Sequence, residues 1–154
     1  THKMTEPTYQ EFPANELAME YRDDGSEIRV ISGTTNKGTI GPVINTHVKP
    51  TYMDVSLPAG AIFEQTLPMH SNAFVFVIEG SISVGSTGKN IKKNNLGLLS
   101  QGDLVSITAS SGMSQFLLIS GKPLNEAVAR GGPFVMNSKA EVMQAFNDFQ
   151  NNKF

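Results

Sequence analysis

This 154-residue chain has three histidines, His2, His47 and His70, and no cysteine. Thiolate nucleophiles, thiolate metal ligands and disulfides are therefore excluded. Of the histidines, His70 has a candidate partner. Along an extended segment it shares side-chain parity with Glu64 and Thr66, which would turn all three to one side. An imidazole titrating near neutral pH beside a carboxylate could then move a proton without any metal, making Glu64 and His70 an acid–base pair. Pro68 stands between them, and if it breaks the strand, His70 falls in a solvated turn. Asp103, next to Gly102, has the setting of a turn carboxylate that bonds nearby backbone N–H groups.

The elements that must carry these residues are short and β-like. Runs at 28–32, 44–48, 52–57, 74–78, 81–84, 104–108 and 115–120 are separated by glycine and proline turns, which points to a barrel or sandwich. The run from Phe74 to Ile78 is apolar on both faces and is expected inside a sheet. Residues 1–27, broken by Pro7, Pro13 and Asp23-Asp24-Gly25, read as an arm or linker. Residues 28–137 form the barrel, and 138–154 a helix and tail. Ser138-Lys139-Ala140-Glu141 is a capping box, and Val142, Met143, Phe146 and Phe149 follow at helical spacing.

Composition narrows the function classes. A formal charge of -2 gives no basic footprint for direct contact with nucleic acid or an anionic membrane. The longest apolar run, Ala73 to Ile78, is far short of the ~20 residues that span a bilayer. With no charged-then-apolar leader, a cytoplasmic protein is expected. The opening at Thr1 suggests a piece of something longer.

The glycines around the candidate pair form a frame. Gly60 and Gly80 resemble the ends of the first cupin motif, which runs Gly, five residues, His-x-His, three or four residues, Glu, six residues, Gly. Under that resemblance the ligand positions fall on Thr66, Pro68 and Ala73. Ser100-Gln101-Gly102-Asp103 is similar to the second motif and puts its histidine position on Val105. None of the four supplies an imidazole or carboxylate donor, so a cupin metal centre is not expected here. The glycines themselves are expected to serve backbone geometry, through positive φ.

The resemblance sharpens at the ends of the chain. His2-Lys3-Met4-Thr5-Glu6-Pro7-Thr8-Tyr9-Gln10 is similar to the inter-domain stretch of pirins. Gly131-Gly132-Pro133-Phe134-Val135-Met136-Asn137 looks like the pirin C-terminal signature, with Ile78-Glu79-Gly80 and Gly102-Asp103 where that family places them. This implies an all-β double-stranded β-helix barrel with one C-terminal helix, matching the C-terminal cupin half of a two-cupin protein. It implies that iron sits only in the N-terminal half. For the whole protein it implies either quercetin 2,3-dioxygenase-type activity or transcriptional co-regulation through protein partners. The chain itself would be a non-catalytic support that docks on that iron-bearing half or dimerises. Phe134, Met136, Phe146 and Phe149 are the expected interaction surface. The alternatives are the metal-free enzyme built on Glu64 and His70, and a barrel that binds a small molecule without chemistry.

Overall fold

The structure is a computed structural model that describes residues 3–6, 8–45, 47–86, 88–110 and 112–153. His2 and Pro7, singled out in the sequence, lie outside the described residues. The chain divides into two compact units, Glu11–Pro123 and Thr1–Gln10 with Leu124–Phe154.

The larger unit holds ten strands: β1 (Ala18–Tyr21), β2 (Glu27–Ser32), β3 (Thr51–Leu57), β4 (Ile62–Thr66), β5 (Asn72–Glu79), β6 (Ser81–Val84), β7 (Lys89–Lys92), β8 (Leu96–Leu98), β9 (Leu104–Ala109) and β10 (Ser114–Gly121). They make a six-stranded sheet in the order β1-β2-β3-β10-β5-β8 and a four-stranded sheet β4-β9-β6-β7, with antiparallel strand pairing throughout. Alternation decides what is inside. In β3, β9 and β10 every second residue is buried, as a strand with one face on a core requires. Val75, Val77, Phe116, Leu118, Met53 and Val55 of the larger sheet form one core with Phe63, Ile82, Val105 and Ile107 of the smaller. Phe63 meets Phe116 edge to face, ring centroids 5.9 Å apart, which ties the two sheets together. β5 lies inside its sheet between β10 and β8, as its two apolar faces lead one to expect.

Gly80, between β5 and β6, shows what its glycine is for. Its φ is 71°, and a Cβ there would stand 2.6 Å from the Met113 carbonyl oxygen and 2.7 Å from Ser114 Oγ. Gly60 also has positive φ, 77°. Gly102 does not, and a Cβ on it meets nothing within 4 Å, so the expected backbone role fails at that glycine.

The smaller unit contains a hairpin of β11 (Ala129–Gly131) and β12 (Phe134–Met136), followed by helix α1 (Lys139–Gln150). The capping box is formed: Glu141 N–H donates to Ser138 Oγ, and the Ser138 N–H donates to the Glu141 carboxylate at 2.7 Å.

Two departures from the sequence reading have local causes. None of the described residues of the run at 44–48 lies in a strand. The Asn45 side-chain oxygen accepts from the backbone N–H groups of His47 at 2.9 Å and Val48 at 3.0 Å, a side-chain turn that competes with a ladder. The sheet also begins earlier than expected, because β1 lies within the segment taken as linker and pairs with β2 from Ala18↔Val30 to Tyr21↔Glu27.

Candidate functional site

β4 and β9 carry the residues of interest, paired antiparallel with Gln65 opposite Val105 and Thr66 opposite Leu104. Opposed residues point to the same face. Phe63, Gln65 and Leu67 are buried, while Glu64, Thr66, Pro68 and His70 are exposed. The shared parity of Glu64 and Thr66 holds, but toward the outside of the barrel. Pro68 follows the strand and opens a turn closed by Ser71 N–H to the Pro68 oxygen at 2.9 Å, and His70 sits exposed in that turn. No cavity-facing acid–base pair is formed by these two side chains.

The four positions that the glycine frame marks are also scattered. Val105 is interior, Thr66 and Pro68 are exterior, and Ala73 is half-buried against the core at the start of β5. Among the described residues, no group of three or more histidine, aspartate or glutamate side chains could hold a metal ion. An iron ion requires converging nitrogen or carboxylate donors, and the interior pair at this level, Gln65 and Val105, offers only one neutral amide.

A polar cluster that sequence reasoning missed does face inward, along the seam between β1 and β4. Glu20 is 6 % exposed, and its carboxylate accepts from Arg22 Nε at 2.8 Å and from the Thr35 hydroxyl. Thr35 Oγ1 in turn accepts the Thr39 N–H at 3.0 Å. The Arg22 guanidinium lies 5.2 Å from the centre of the Phe63 ring, a cation–π contact from one side of the seam to the other. Burial works against the Glu20 charge, but the bonds from Thr35, Arg22 and Thr39 outweigh it, and the carboxyl titrates below its ordinary value of 4.5.

Next to this cluster the loop after β2 is fastened to the free edge of β4 by side-chain amides. Asn36 donates to the Glu64 carbonyl oxygen at 3.3 Å and accepts the Thr66 N–H at 3.0 Å, as a neighbouring strand would. Gln65 Nε2 donates to the Thr34 carbonyl at 3.1 Å and to its neighbour Thr66 at 3.0 Å. The other Gln65 amide atom, Oε1, is buried with no hydrogen-bond partner among the described residues. The signal in the sequence was the opposite charges at Glu20 and Arg22, two residues apart and so on one face of a strand.

In the smaller unit, Phe134 packs edge to face on Phe146 at 5.0 Å and on Phe149 at 6.0 Å. Met136 joins Lys3, Met4 and Ala145 in lining a groove of about 110 Å³. Phe134, Met136 and Phe146 are half-buried, and of the four expected interaction residues Phe149 is the largely exposed one, at 63 %.

Residues 52–154 match the pirin C-terminal cupin domain. Over 99 % of its length the chain is 40 % identical to a pirin-like protein of Caulobacter vibrioides, covering 54 % of that protein. It is 39 % identical to Pirin-1 of Arabidopsis thaliana, again over 54 % of the relative. A crystal structure of quercetin 2,3-dioxygenase from Acinetobacter baumannii superimposes with a TM-score of 0.87 at 34 % identity, over 99 % of this chain and 52 % of that one. The chain thus spans about half the length of the relatives it matches. It belongs to the pirin family, within the cupin superfamily, and carries that family's C-terminal cupin domain.

Proposed function

We propose that this chain is a metal-free, non-catalytic supporting half, which stabilises and orients an iron-bearing cupin in a pirin-like protein. The observation that carries this reading is the interior of β4 and β9. Of the four positions that the glycine frame marks, Val105 is the one that lies in the interior, and Phe63 and Gln65 fill the space beside it. Chemistry of the quercetin 2,3-dioxygenase type then belongs to the other half, and the relative from Acinetobacter baumannii that bears that name is about twice as long as this chain.

The test is metal analysis and oxygen consumption with quercetin. It is run on this chain and on the same chain fused to the half of the Caulobacter vibrioides protein that it does not match. Iron and turnover are expected in the fused protein alone. Iron bound stoichiometrically by this chain through its own side chains overturns the reading.

A further inference from the structure

A pocket of about 250 Å³ lies between the end of β2, the start of β3 and the connection at 33–50 that joins them. Its walls are held in place by bonds of their own. The buried Ser32 hydroxyl is 2.6 Å from the Val43 carbonyl oxygen and 3.1 Å from that of Pro50, so one side chain pins two points of the connection. Gly41 N–H donates to the Gly33 carbonyl at 2.9 Å. A Cβ on Gly41 would stand 2.6 Å from the Ile31 carbonyl carbon, so glycine is what lets this loop lie against β2. Gln65 Nε2, bonded to the Thr34 and Thr66 carbonyls, joins the same loop to the segment leading into Pro68. A pocket formed in advance is the usual state of a small-molecule site.

The lining selects a chemistry. Lys49 is the one charged residue among the described residues that line the pocket, and no carboxylate stands there to pair with it. Its backbone is left-handed, with φ 45°, uncommon for lysine. Thr51 is only 9 % exposed, and its hydroxyl has no hydrogen-bond partner among the described residues. The Asn45 side-chain oxygen is taken by the N–H groups of His47 and Val48, which leaves its NH₂ to donate. Three donors thus share one pocket with the apolar Val43, Ile44 and Pro50. An anionic oxygen satisfies such donors best, since charge-assisted hydrogen bonds are the stronger kind.

We propose that this pocket binds a small organic carboxylate carrying a single ring, its charge toward Lys49, Asn45 and Thr51 and its ring toward Val43, Ile44 and Pro50. Volume sets the size. An apolar cavity of about 150 Å³ takes benzene, and drug-sized ligands fill roughly 300 Å³ or more. One ring with a charged end lies between the two. Of the four positions that the glycine frame marks, Pro68 alone lines the pocket, so the site is not a remnant of the metal centre. It stands independently of the supporting role proposed above.

Benzoate is the probe, titrated into the isotope-labelled chain and followed by amide chemical shifts. Signals of Gly33, Thr34, Gly41 and Lys49 are expected to move along one saturable curve, with a Kd in the millimolar range. Benzamide, the neutral analogue, should bind about tenfold more weakly. Lys49→Asn removes the charge but keeps a residue that tolerates positive φ. It should weaken benzoate by about tenfold and leave benzamide unchanged. Ile44→Asp, at a largely exposed position, should abolish benzoate binding without lowering Tm. Equal affinity for benzoate and benzamide, or benzoate affinity retained in Lys49→Asn, overturns the anionic ligand. Shifts centred on other residues, or none that saturate, overturn the pocket.

Discussion

Glu20 is a charge held inside the seam by three partners, and its titration has a defined sign. Its folded pKa is lowered below 4.5, so its contribution to stability is complete above that value. That contribution is lost as pH falls from 4.5 through the folded pKa. Glu20→Gln should flatten the dependence of Tm on pH in this acid range. At pH 7 it should cost about 2–3 kcal/mol, because Arg22 is left without its partner in a nearly buried place. Thermal melts of both proteins between pH 3 and 7 check this, and parallel pH profiles would show that Glu20 does not control the acid limb. This residue was hidden from sequence reasoning because Ala18–Tyr21 has no apolar alternation to announce a strand. Glu64 and His70 were visible, but parity alone cannot say which side of a strand is inside. Phe63 and Leu67 settle it, since two large apolar side chains on the odd positions claim the core for that face.

Among the elements, β4 depends on a loop rather than a strand to close one edge. Asn36→Ala removes both amide bonds to the β4 backbone, leaving the Glu64 oxygen and the Thr66 N–H open. Amide exchange at Thr66 should accelerate by about tenfold or more, corresponding to roughly 1–1.5 kcal/mol of lost local protection. Exchange at Phe63 and Gln65, whose registered partners on β9 are untouched, should change less. An open edge of this kind also invites pairing with another chain. Most of the longer strands and the capped helix were legible, because alternation over six or more residues and a Ser-x-x-Glu box are strong local signals. The short β8, with only Leu96-Gly97-Leu98, was not. Three residues carry no period, and Gly97 is required there by packing, since a Cβ would stand 2.3 Å from Ile91 Cδ1.

At the scale of the whole molecule, the barrel was readable from its glycine frame, whereas the surface it offers was not. Outward rows exist only once register sets Leu98, Phe74, Ile119 and Tyr52 side by side, and register is a property of pairing between distant segments. Such a face should bind an apolar dye. This chain is expected to enhance 1-anilinonaphthalene-8-sulfonate fluorescence while native, and Leu96→Lys with Leu98→Lys to remove most of the signal without changing the far-ultraviolet circular dichroism spectrum. Undiminished fluorescence in that variant would place the dye elsewhere. The joint where Arg22 lies over Phe63 has a further consequence. Neighbouring staves inside each sheet are laced by backbone ladders, but β1 and β4 end separate sheets, and Arg22, just past β1, reaches Phe63 of β4 through its side chain. The cylinder therefore has a built-in zip, and its first breathing motions should part the wall there while the laced staves stay shut.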